Sequence, residues 1–254
     1  MRMLLRGSRG WIAIVLATCI WVPQIAMAQA GPPMITNDTG TPGDGHWEIN
    51  LAATGDHTGG AWNITAPDAD INYGLGKRIQ LTFHPAWGHR STPGAPLASG
   101  IAPTEFAVRW RFLDQEKAGV DMAVQPHLIL PGPPAARRKD LSPATREIQL
   151  PLQIVKAFGK DAVGLEVARH FVDKGDDAWQ AGMFWARPCP HEWQCIAEIN
   201  STRNDHSRAA TIINFGTRHP ITQHLLFMAS LGRQVTGDRP RSSPVFYLGV
   251  QVLK

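Results

Sequence analysis

Residues 105–112 read Glu-Phe-Ala-Val-Arg-Trp-Arg-Phe, with a large apolar side chain at every second position from Phe106. In an extended strand Phe106, Val108, Trp110 and Phe112 would point to one side, while the charged residues would point to the other. This alternation is typical of a strand that separates an apolar from a polar environment. A membrane barrel and a soluble two-sheet sandwich both contain such strands, so this segment alone leaves both folds open.

The same alternation recurs along the chain and predicts a succession of about twelve strands. The predicted strands cover approximately residues 46–54, 66–73, 78–87, 104–113, 119–130, 145–156, 161–171, 178–186, 193–202, 208–216, 221–231 and 244–252. Residues 211–214 in the tenth of them do not assign cleanly to either face.

The connections between these strands separate the two folds. Five connections are short, at residues 74–77, 114–118, 157–160, 187–192 and 217–220. They alternate with connections that are mostly longer, at residues 55–61, 88–103, 131–144 and 232–243, although 173–177 and 203–207 are as short as the turns. An even strand number with alternating short turns and longer loops is typical of outer-membrane barrels. We therefore expect an all-β fold, an antiparallel up-and-down transmembrane β-barrel of about twelve strands.

The N-terminal region has the composition of a secretory signal peptide. Residues 1–28 contain three arginines, an apolar run from Trp11 to Val22, and an Ala-Met-Ala sequence at 26–28 that suits cleavage. Pro23 and Gln24 end the apolar run short of the ~20 residues that a membrane-spanning helix needs. We predict a signal peptide at 1–28, a periplasmic lead-in at 29–45 and the barrel at 46–254.

Cleavage would also change the charge of the protein. The leader carries three arginines and no acidic residue, so its removal takes the formal net charge from +4 to +1. The basic balance therefore belongs mostly to the leader, and we expect no nucleic-acid partner. The expected location is the outer membrane of a Gram-negative bacterium, with outer-membrane lipid, the barrel assembly machinery and a small-molecule solute as partners.

Polar residues on the inner faces of the predicted strands would line the lumen. So many polar groups would be costly to bury in the dry core of a sandwich, whereas a lumen keeps them wet or paired. The candidate lumen residues are Glu48, Asp68, Asp70, Glu105, Arg109, Arg111, Asp121, His127, Glu147 and Glu166. Asp68 and Asp70 share one side of their strand, and we expect them to pair with Arg109 or Arg111 or to stay solvated rather than to act as an acid and base.

Two cysteines, Cys189 and Cys195, follow the leader and flank a predicted turn. In an oxidising compartment this arrangement favours an intrachain disulfide. A metal site that includes His191 is the alternative, but two cysteines and one histidine at this spacing match no common zinc pattern. The sequence leaves open whether the two cysteines are bonded, and we expect no metal and no cofactor.

Several blocks of the sequence resemble the meta-pathway of phenol degradation family of outer-membrane proteins. They are Gly45–Asn50 (GHWEIN), Asp70–Leu75 (DINYGL), Arg78–Leu81, Trp110–Phe112 with Glu116–Gly119, and Tyr247–Gln251, and the likeness spans essentially the whole chain after the leader. The resemblance implies a barrel that moves small aromatic or other hydrophobic compounds across the outer membrane. It implies no catalytic residues. Such barrels usually end on an aromatic residue that the assembly machinery reads, whereas this chain ends Val252-Leu253-Lys254.

The expected function is that of a channel or transporter for small solutes. A barrel with a structural or surface-interaction role, acting through loops 88–103 and 131–144, is one alternative, and a soluble periplasmic β-sandwich is another. We expect no enzyme. An outer-membrane lipid hydrolase would need a serine, a base and an orienting acid within hydrogen-bond reach, for which Ser207, His206 and Asp205 are the candidates.

Overall fold

The computed structural model describes residues 31–237 and 243–254 of the chain, so the predicted signal peptide lies outside the described residues. Almost all of the regular structure is β-strand. The strands are β1 (Trp47–Thr58), β2 (Ala61–Leu75), β3 (Ile79–His84), β4 (Ala86–Ser91), β5 (Ala98–Ile101), β6 (Thr104–Leu113), β7 (Asp121–Val124), β8 (His127–Leu130), β9 (Glu147–Phe158), β10 (Asp161–Val172), β11 (Ala178–Pro188), β12 (Gln194–Asn204), β13 (Ala210–Thr222), β14 (Leu225–Thr236) and β15 (Pro244–Leu253). Two one-turn helices are α1 (Gln115–Ala118) and α2 (Pro134–Arg137), and no helix in the described ranges is long and apolar enough to cross a membrane.

These segments form a barrel wall of twelve strands. β3 and β4 are two halves of one spanning strand, and they pair with different parts of β2 on either side of Pro85. β7 and β8 are likewise two halves, separated by Gln125 and Pro126. β5 continues β6 across Ala102 and Pro103. Proline interrupts each of these strands because it has no N–H group to donate to a neighbouring strand.

The sheet closes on itself through its first strand. β1 pairs antiparallel with β15 on one side and with β2 on the other, and every other pairing in the sheet is also antiparallel. Trp47 and Lys254 exchange backbone hydrogen bonds at the start and end of the barrel. The predicted antiparallel barrel of about twelve strands is therefore confirmed, and the alternative of a two-sheet sandwich is wrong.

Inner and outer faces of the wall have opposite character. Buried residues include many amides and charged groups, such as Asn50, Gln153 and Gln251, while large apolar side chains such as Leu152 and Val167 are exposed on the outside. This distribution is the reverse of a soluble protein and is typical of a membrane barrel. The sequence did not show which residues of 211–214 in β13 face the lumen. In the structure Asn214 is buried inside the barrel and Ile213 points outward.

Two predicted connections differ from the structure. Residues 55–61, predicted as a long loop, belong to the β1–β2 hairpin, whose turn is only Gly59 and Gly60, both at positive φ. A two-residue turn of this kind matches the twist of a hairpin, and glycine adopts it without strain. Residues 217–220, predicted as a turn, continue β13, and the chain reverses at 223–224 instead. We call the end of the barrel that holds this reversal the turn end; α1, the start of β1 and the end of β15 also lie there. The opposite end is the loop end.

The two longest connections at the loop end pack on each other. β4 and β5 form a hairpin inside the segment 88–103, and α2 lies in the segment 131–144. A Cβ atom added to Gly100 would lie 3.3 Å from Leu141 and 3.7 Å from Ala136, so these residues touch the β5 backbone. Lys139 Nζ also donates to the Ser99 carbonyl at 3.0 Å. The loop end is therefore structured.

Candidate functional site

The segment before β1 lies inside the barrel. Residues 31–42, which we call the N-terminal segment, run from the turn end into the lumen, where Met34, Thr36, Asp38 and Thr39 are all buried. We expected residues 29–45 to be a periplasmic lead-in outside the barrel, because a stretch rich in glycine, proline and threonine shows no period. The structure differs because the backbone groups of this segment find hydrogen-bond partners on the lumen wall.

Arg109 on β6 holds the middle of the N-terminal segment. Its guanidinium donates to the Gly40 carbonyl at 2.6 Å and to Gln125 at 2.8 Å, and Nη1 lies 3.4 Å from the Asp38 carboxylate. Both members of the Arg109–Asp38 ion pair are buried. A buried guanidinium requires this complete set of acceptors, because an unpaired buried charge is costly.

Glu198 on β12 holds the segment on the opposite wall. Its carboxylate accepts hydrogen bonds from the backbone N–H groups of Ile35 and Thr36 and, at 3.1 Å, from Asn214 Nδ2. Asn200, two residues along the same strand, donates to Thr36 Oγ1 at 3.2 Å. These contacts satisfy backbone groups that would otherwise lose their water on entering the lumen.

The first residues of the segment contact β13 and β14. Arg218 Nε donates to the Pro32 carbonyl at 2.9 Å, and Ser230 Oγ donates to the Pro33 carbonyl at 2.8 Å. Proline cannot donate from its backbone, so its carbonyl is the group that needs a partner here. The N-terminal segment is thus attached to the wall from β6 to β14.

Glycines on the inner wall make room for the segment. A Cβ atom on Gly182 would lie 2.1 Å from Thr36 Oγ1, and one on Gly216 would lie 1.9 Å from the Met34 methyl group. Both distances are far below van der Waals contact. Because a side chain at either position would require Thr36 or Met34 to shift, the two glycines form a socket for these residues.

An apolar patch also occupies the lumen. Phe184 is fully buried and points inward from β11, and Met34, Val155, Ala186 and Ile196 surround it. The alternation within β11 (Trp-Gln-Ala-Gly-Met-Phe-Trp) places Phe184 on the inner face, because its neighbours Met183 and Trp185 face outward. The sequence carried this signal, but we assigned no function to it. The patch fills part of the lumen with dry side chains.

Between the N-terminal segment and the wall remains a cavity of about 570 Å³. Of the ten predicted lumen residues it is lined by Glu48, Asp68, Asp70, Glu105, Arg109, His127 and Glu166. The other three lie elsewhere. Arg111 contacts Asp114 and the Lys77 carbonyl at the turn end, Asp121 accepts from the Gln115 backbone N–H there, and Glu147 pairs with His170.

Asp68 and Asp70 do not pair with Arg109 or Arg111, so the first of the two environments that we expected for them is wrong, and both residues line the cavity. Asp68 contacts His84 Nε2 and accepts from Thr54 Oγ1 at 3.0 Å. Asp70 accepts from the side-chain amides of Asn50 and Asn72, each at 3.0 Å. Arg109 is already engaged by the N-terminal segment, and Arg111 is engaged at the turn end, so neither reaches these carboxylates.

Three histidines alternate with carboxylates on neighbouring strands of the inner wall. Besides the His84–Asp68 contact, His127 Nδ1 lies 2.7 Å from Glu105 Oε1, and His170 Nδ1 lies 2.7 Å from Glu147 Oε1. His84 and Glu105 are directly opposite each other in the β3–β6 register. The sequence pointed to the separate residues, and only the strand register brings them together. We call the six residues the His–carboxylate belt.

Cys189 and Cys195 form a disulfide across the turn between β11 and β12. The bond joins the two positions that the sequence predicted. Within the described residues, no group of three or more histidine, cysteine or acidic side chains is arranged to hold a metal ion.

The candidate hydrolase residues are not arranged as a catalytic site. His206 Nδ1 lies 3.1 Å from Asp176, and Ser207 Oγ donates to the Arg208 carbonyl rather than to His206. Asp205 is engaged by Arg169 at 3.0 Å, and this hydrogen bond lowers the pKa of the Asp205 carboxyl. A nucleophilic serine requires its base within hydrogen-bond reach, and that contact is missing here.

Solved structures with a fold similar to that of this chain include outer-membrane channels. The COG4313 outer membrane channel from Pseudomonas putida F1 matches with a TM-score of 0.65 over 87% of this chain and 100% of that chain, at 14% sequence identity. The KdgM porin matches with a TM-score of 0.59 (81% of this chain, 98% of that one, 9% identity), and the NanC porin with 0.56 (80%, 98% and 8%). No family model matches the sequence, and no curated protein matches it. At these identities the similarity establishes the fold: this chain is a porin-like β-barrel.

Proposed function

We propose that this protein is a channel for small solutes in the outer membrane of a Gram-negative bacterium, and that the N-terminal segment closes it in the state described here. The observation that carries the proposal is a cavity of about 570 Å³ that lies between the barrel wall and a segment attached through Arg109 and Glu198. Export across the inner membrane would use the leader at 1–28, with cleavage after Ala28.

The blocks GHWEIN and DINYGL support the further proposal that the chain belongs to the meta-pathway of phenol degradation family. That family implies small aromatic or hydrophobic solutes. The apolar patch around Phe184 is the part of the lumen that suits such solutes, but Met34 covers it. A solute of this class would therefore reach the patch only after the N-terminal segment moves.

The membrane orientation of the wall can be tested by charge substitution. Val167 lies in the middle of β10, and its side chain is 48% exposed on the outer face. We expect Val167→Arg to destabilise the folded barrel in lipid vesicles by about 2–4 kcal/mol, the cost of an arginine at the bilayer midplane. Denaturant titrations monitored by tryptophan fluorescence measure this loss.

The matched control is Ile221→Arg. Ile221 is 55% exposed but lies beside the turn at 223–224, near the end of the wall. Close to the interface the same substitution should cost about 0–1 kcal/mol. Losses of only about 0–1 kcal/mol at both positions would place both outside the hydrocarbon layer and contradict the proposed membrane location.

Channel closure by the N-terminal segment predicts that weakening its attachment opens the pore. Glu198→Ala removes the acceptor for the Ile35 and Thr36 N–H groups. Each hydrogen bond to a charged group contributes about 1.5–3 kcal/mol, so we expect a rise of about tenfold or more in the frequency of opening. Planar-bilayer recordings on the full-length protein measure it, with Glu116→Ala on the exposed face of α1 as the control.

The second candidate function is a barrel that does not transport and that acts through its loops. The packing of α2 and Leu141 on the β4–β5 hairpin favours it, because a structured loop end can present a fixed surface. If Glu198→Ala folds and yet remains silent in bilayers and in liposome-swelling assays, this second function is supported. Deletion of residues 133–141 should then abolish binding of a surface partner without changing the fold.

A further inference from the structure

A shallow groove lies on the outer face of the wall, near the loop ends of β13, β14 and β15. It has a volume of about 580 Å³, and we call it the outer groove. Its lining includes Phe215 and Leu231, which are 63% and 66% exposed, together with Arg233, Val235 and Pro244. Apart from Arg233, every side chain that lines it is apolar. On a face that meets lipid, such a groove suits an acyl chain.

Strand register sets the walls of the outer groove. Phe215 and Leu231 are directly opposite each other in β13 and β14, and they form the wall toward the turn end. Two residues nearer the loop end, Arg233 is opposite Pro244 of β15. Val235 is the extra residue of a β-bulge between β13 and β14. A bulge bends the strand that carries it, which accounts for a groove in an otherwise regular wall.

Arg233 places a positive charge in this apolar surface without an acceptor. Its side chain is exposed on the outer face, because the next residue, Gln234, is buried inside the barrel. It forms no hydrogen bond or ion pair with any residue in the ranges that the structure describes. By contrast Arg169, which also points outward, is paired with Asp177 and Asp205. An arginine on the lipid face is costly at depth, so Arg233 requires an anion or the membrane surface.

Hydroxyl groups beyond the groove mark the level of the membrane surface. Ser201 Oγ and Thr211 Oγ1 lie 3.1 Å apart on neighbouring strands, and Thr236 Oγ1 accepts from the Thr211 N–H at 3.1 Å. Thr236 follows Arg233 by three residues, or ~10 Å along the strand. An arginine buries its stem along apolar surface and extends its charged head toward such a level. The guanidinium of Arg233 therefore reaches the layer that holds lipid phosphates.

The loop end determines which lipid meets the groove. Outer-membrane barrels place their longer loops outside the cell, so the loop end faces the outer leaflet. In a Gram-negative bacterium that leaflet is built from lipopolysaccharide, whose anchor, lipid A, carries several acyl chains and phosphate groups. Lipid A thus combines the two chemical features that the outer groove lacks, which are an apolar chain and an anion for Arg233.

From these observations we infer that the outer groove binds lipid A, with an acyl chain along Phe215 and Leu231 and a phosphate on Arg233. A guanidinium binds a phosphate through two parallel N–H···O hydrogen bonds, which gives orientation as well as charge. The site lies outside the barrel. It depends on the proposed membrane location but requires neither an open lumen nor movement of the N-terminal segment, so binding can be tested apart from channel function.

Native mass spectrometry of the full-length, folded protein in a neutral detergent, titrated with purified lipid A, tests the inference. The matched ligand is the same lipid without its phosphates, which keeps every acyl chain. We expect lipid A to bind about tenfold more tightly or better, because each charge-assisted hydrogen bond that is lost weakens binding by about that factor. Equal binding of the two ligands, or no binding of lipid A, would overturn the inference. Phosphatidylglycerol that binds as tightly as lipid A would overturn the choice of lipid.

Charge variants test the role of Arg233. Arg233→Met keeps the length of the side chain and removes its charge, so it should weaken lipid A binding about tenfold, whereas Arg233→Lys should retain part of the affinity. Arg146→Met is the control, because Arg146 is exposed at the same end of the barrel but pairs with Asp173 away from the groove. It should leave binding unchanged. Lipid A binding that is equal in Arg233→Met and in the unaltered protein would contradict the inference.

A second pair of variants tests the apolar wall. Phe215→Ala should weaken lipid A and its dephosphorylated form alike, by about fivefold, because part of the acyl-chain contact is lost. Phe83→Ala makes the same change on the outer face of β3 and should have no effect. Heat-modifiable migration on gels verifies that each variant is folded. Binding that survives Phe215→Ala in full, or a protein dimer that this variant dissociates, would show that the groove does not hold the lipid.

The outcomes for this site and for the proposed channel are independent. If lipid A binding depends on Arg233 and Glu198→Ala does not conduct, the lipid site stands and the channel function falls. If Glu198→Ala conducts and Arg233→Met binds lipid A as tightly as the unaltered protein does, the channel stands and the lipid site falls.

Discussion

Deletion of residues 31–42 is expected to convert a silent barrel into a steadily open channel. The deletion removes the buried side chains of Met34, Thr36 and Asp38 from the lumen, and water can then fill the space between Arg109 and Glu198. If the attached state is favoured by about 99 to 1, complete removal raises the time-averaged conductance by about a hundredfold. Single-channel recordings in planar bilayers measure the change directly.

The barrel itself should survive this deletion. Trp47 begins β1, and β1 is held by its pairings with β2 and β15, none of which involves the N-terminal segment. Heat-modifiable migration on gels and urea unfolding verify the fold. The buried groups left behind, such as Arg109 and Glu198, can regain water in an open lumen, so their exposure costs little compared with burial without a partner.

A deletion variant that is folded but still silent would contradict closure by the N-terminal segment. The packing of α2 and Leu141 against the β4–β5 hairpin at the loop end would then be the remaining obstacle. Deleting residues 133–141 in the same variant tests that obstacle separately. Conductance that appears only after both deletions would identify two closures in series.

The wall of this barrel could be predicted from the sequence because its rule is local. A strand between lipid and a polar lumen must alternate with period two, and residues 105–112 do so without interruption. The errors in the connections have local causes as well. Gly59-Gly60 is a two-residue hairpin signal, but the surrounding glycine and aspartate at Gly55 and Asp56 resemble a longer loop.

The contents of the lumen could not be predicted in this way. Residues 31–42 have no period, and nothing within the segment indicates that Glu198, far along the chain, would accept hydrogen bonds from Ile35 and Thr36. Gly182 and Gly216 gave an indirect signal, since glycine inside a strand often marks a close approach of backbone. The pairing of His127 with Glu105 likewise depends on the register of β6 with β8, which alternation alone does not determine.

Cross-linking the N-terminal segment to the wall should keep the channel closed under conditions that otherwise open it. A Cβ atom on Gly182 would lie 3.0 Å from the Thr36 Cβ, and disulfides join Cβ atoms about 3.5–4.5 Å apart, so a small shift lets Thr36→Cys and Gly182→Cys bond. The pair is placed in a protein that carries Glu198→Ala to favour opening. Cys189→Ser and Cys195→Ser remove the native disulfide, so that the introduced bond is the one that responds to reductant.

The oxidised form of this cross-linked variant should show no conductance. Addition of dithiothreitol should release the segment and raise the conductance about tenfold or more. The single variant Thr36→Cys in the same background is the control, and it should conduct equally before and after reduction. Mass spectrometry gives the fraction cross-linked. If the cross-linked protein conducts as well as the reduced one, solutes pass beside the segment, and the cavity along Asp70, Glu105 and His127 is then an open path rather than a closed compartment.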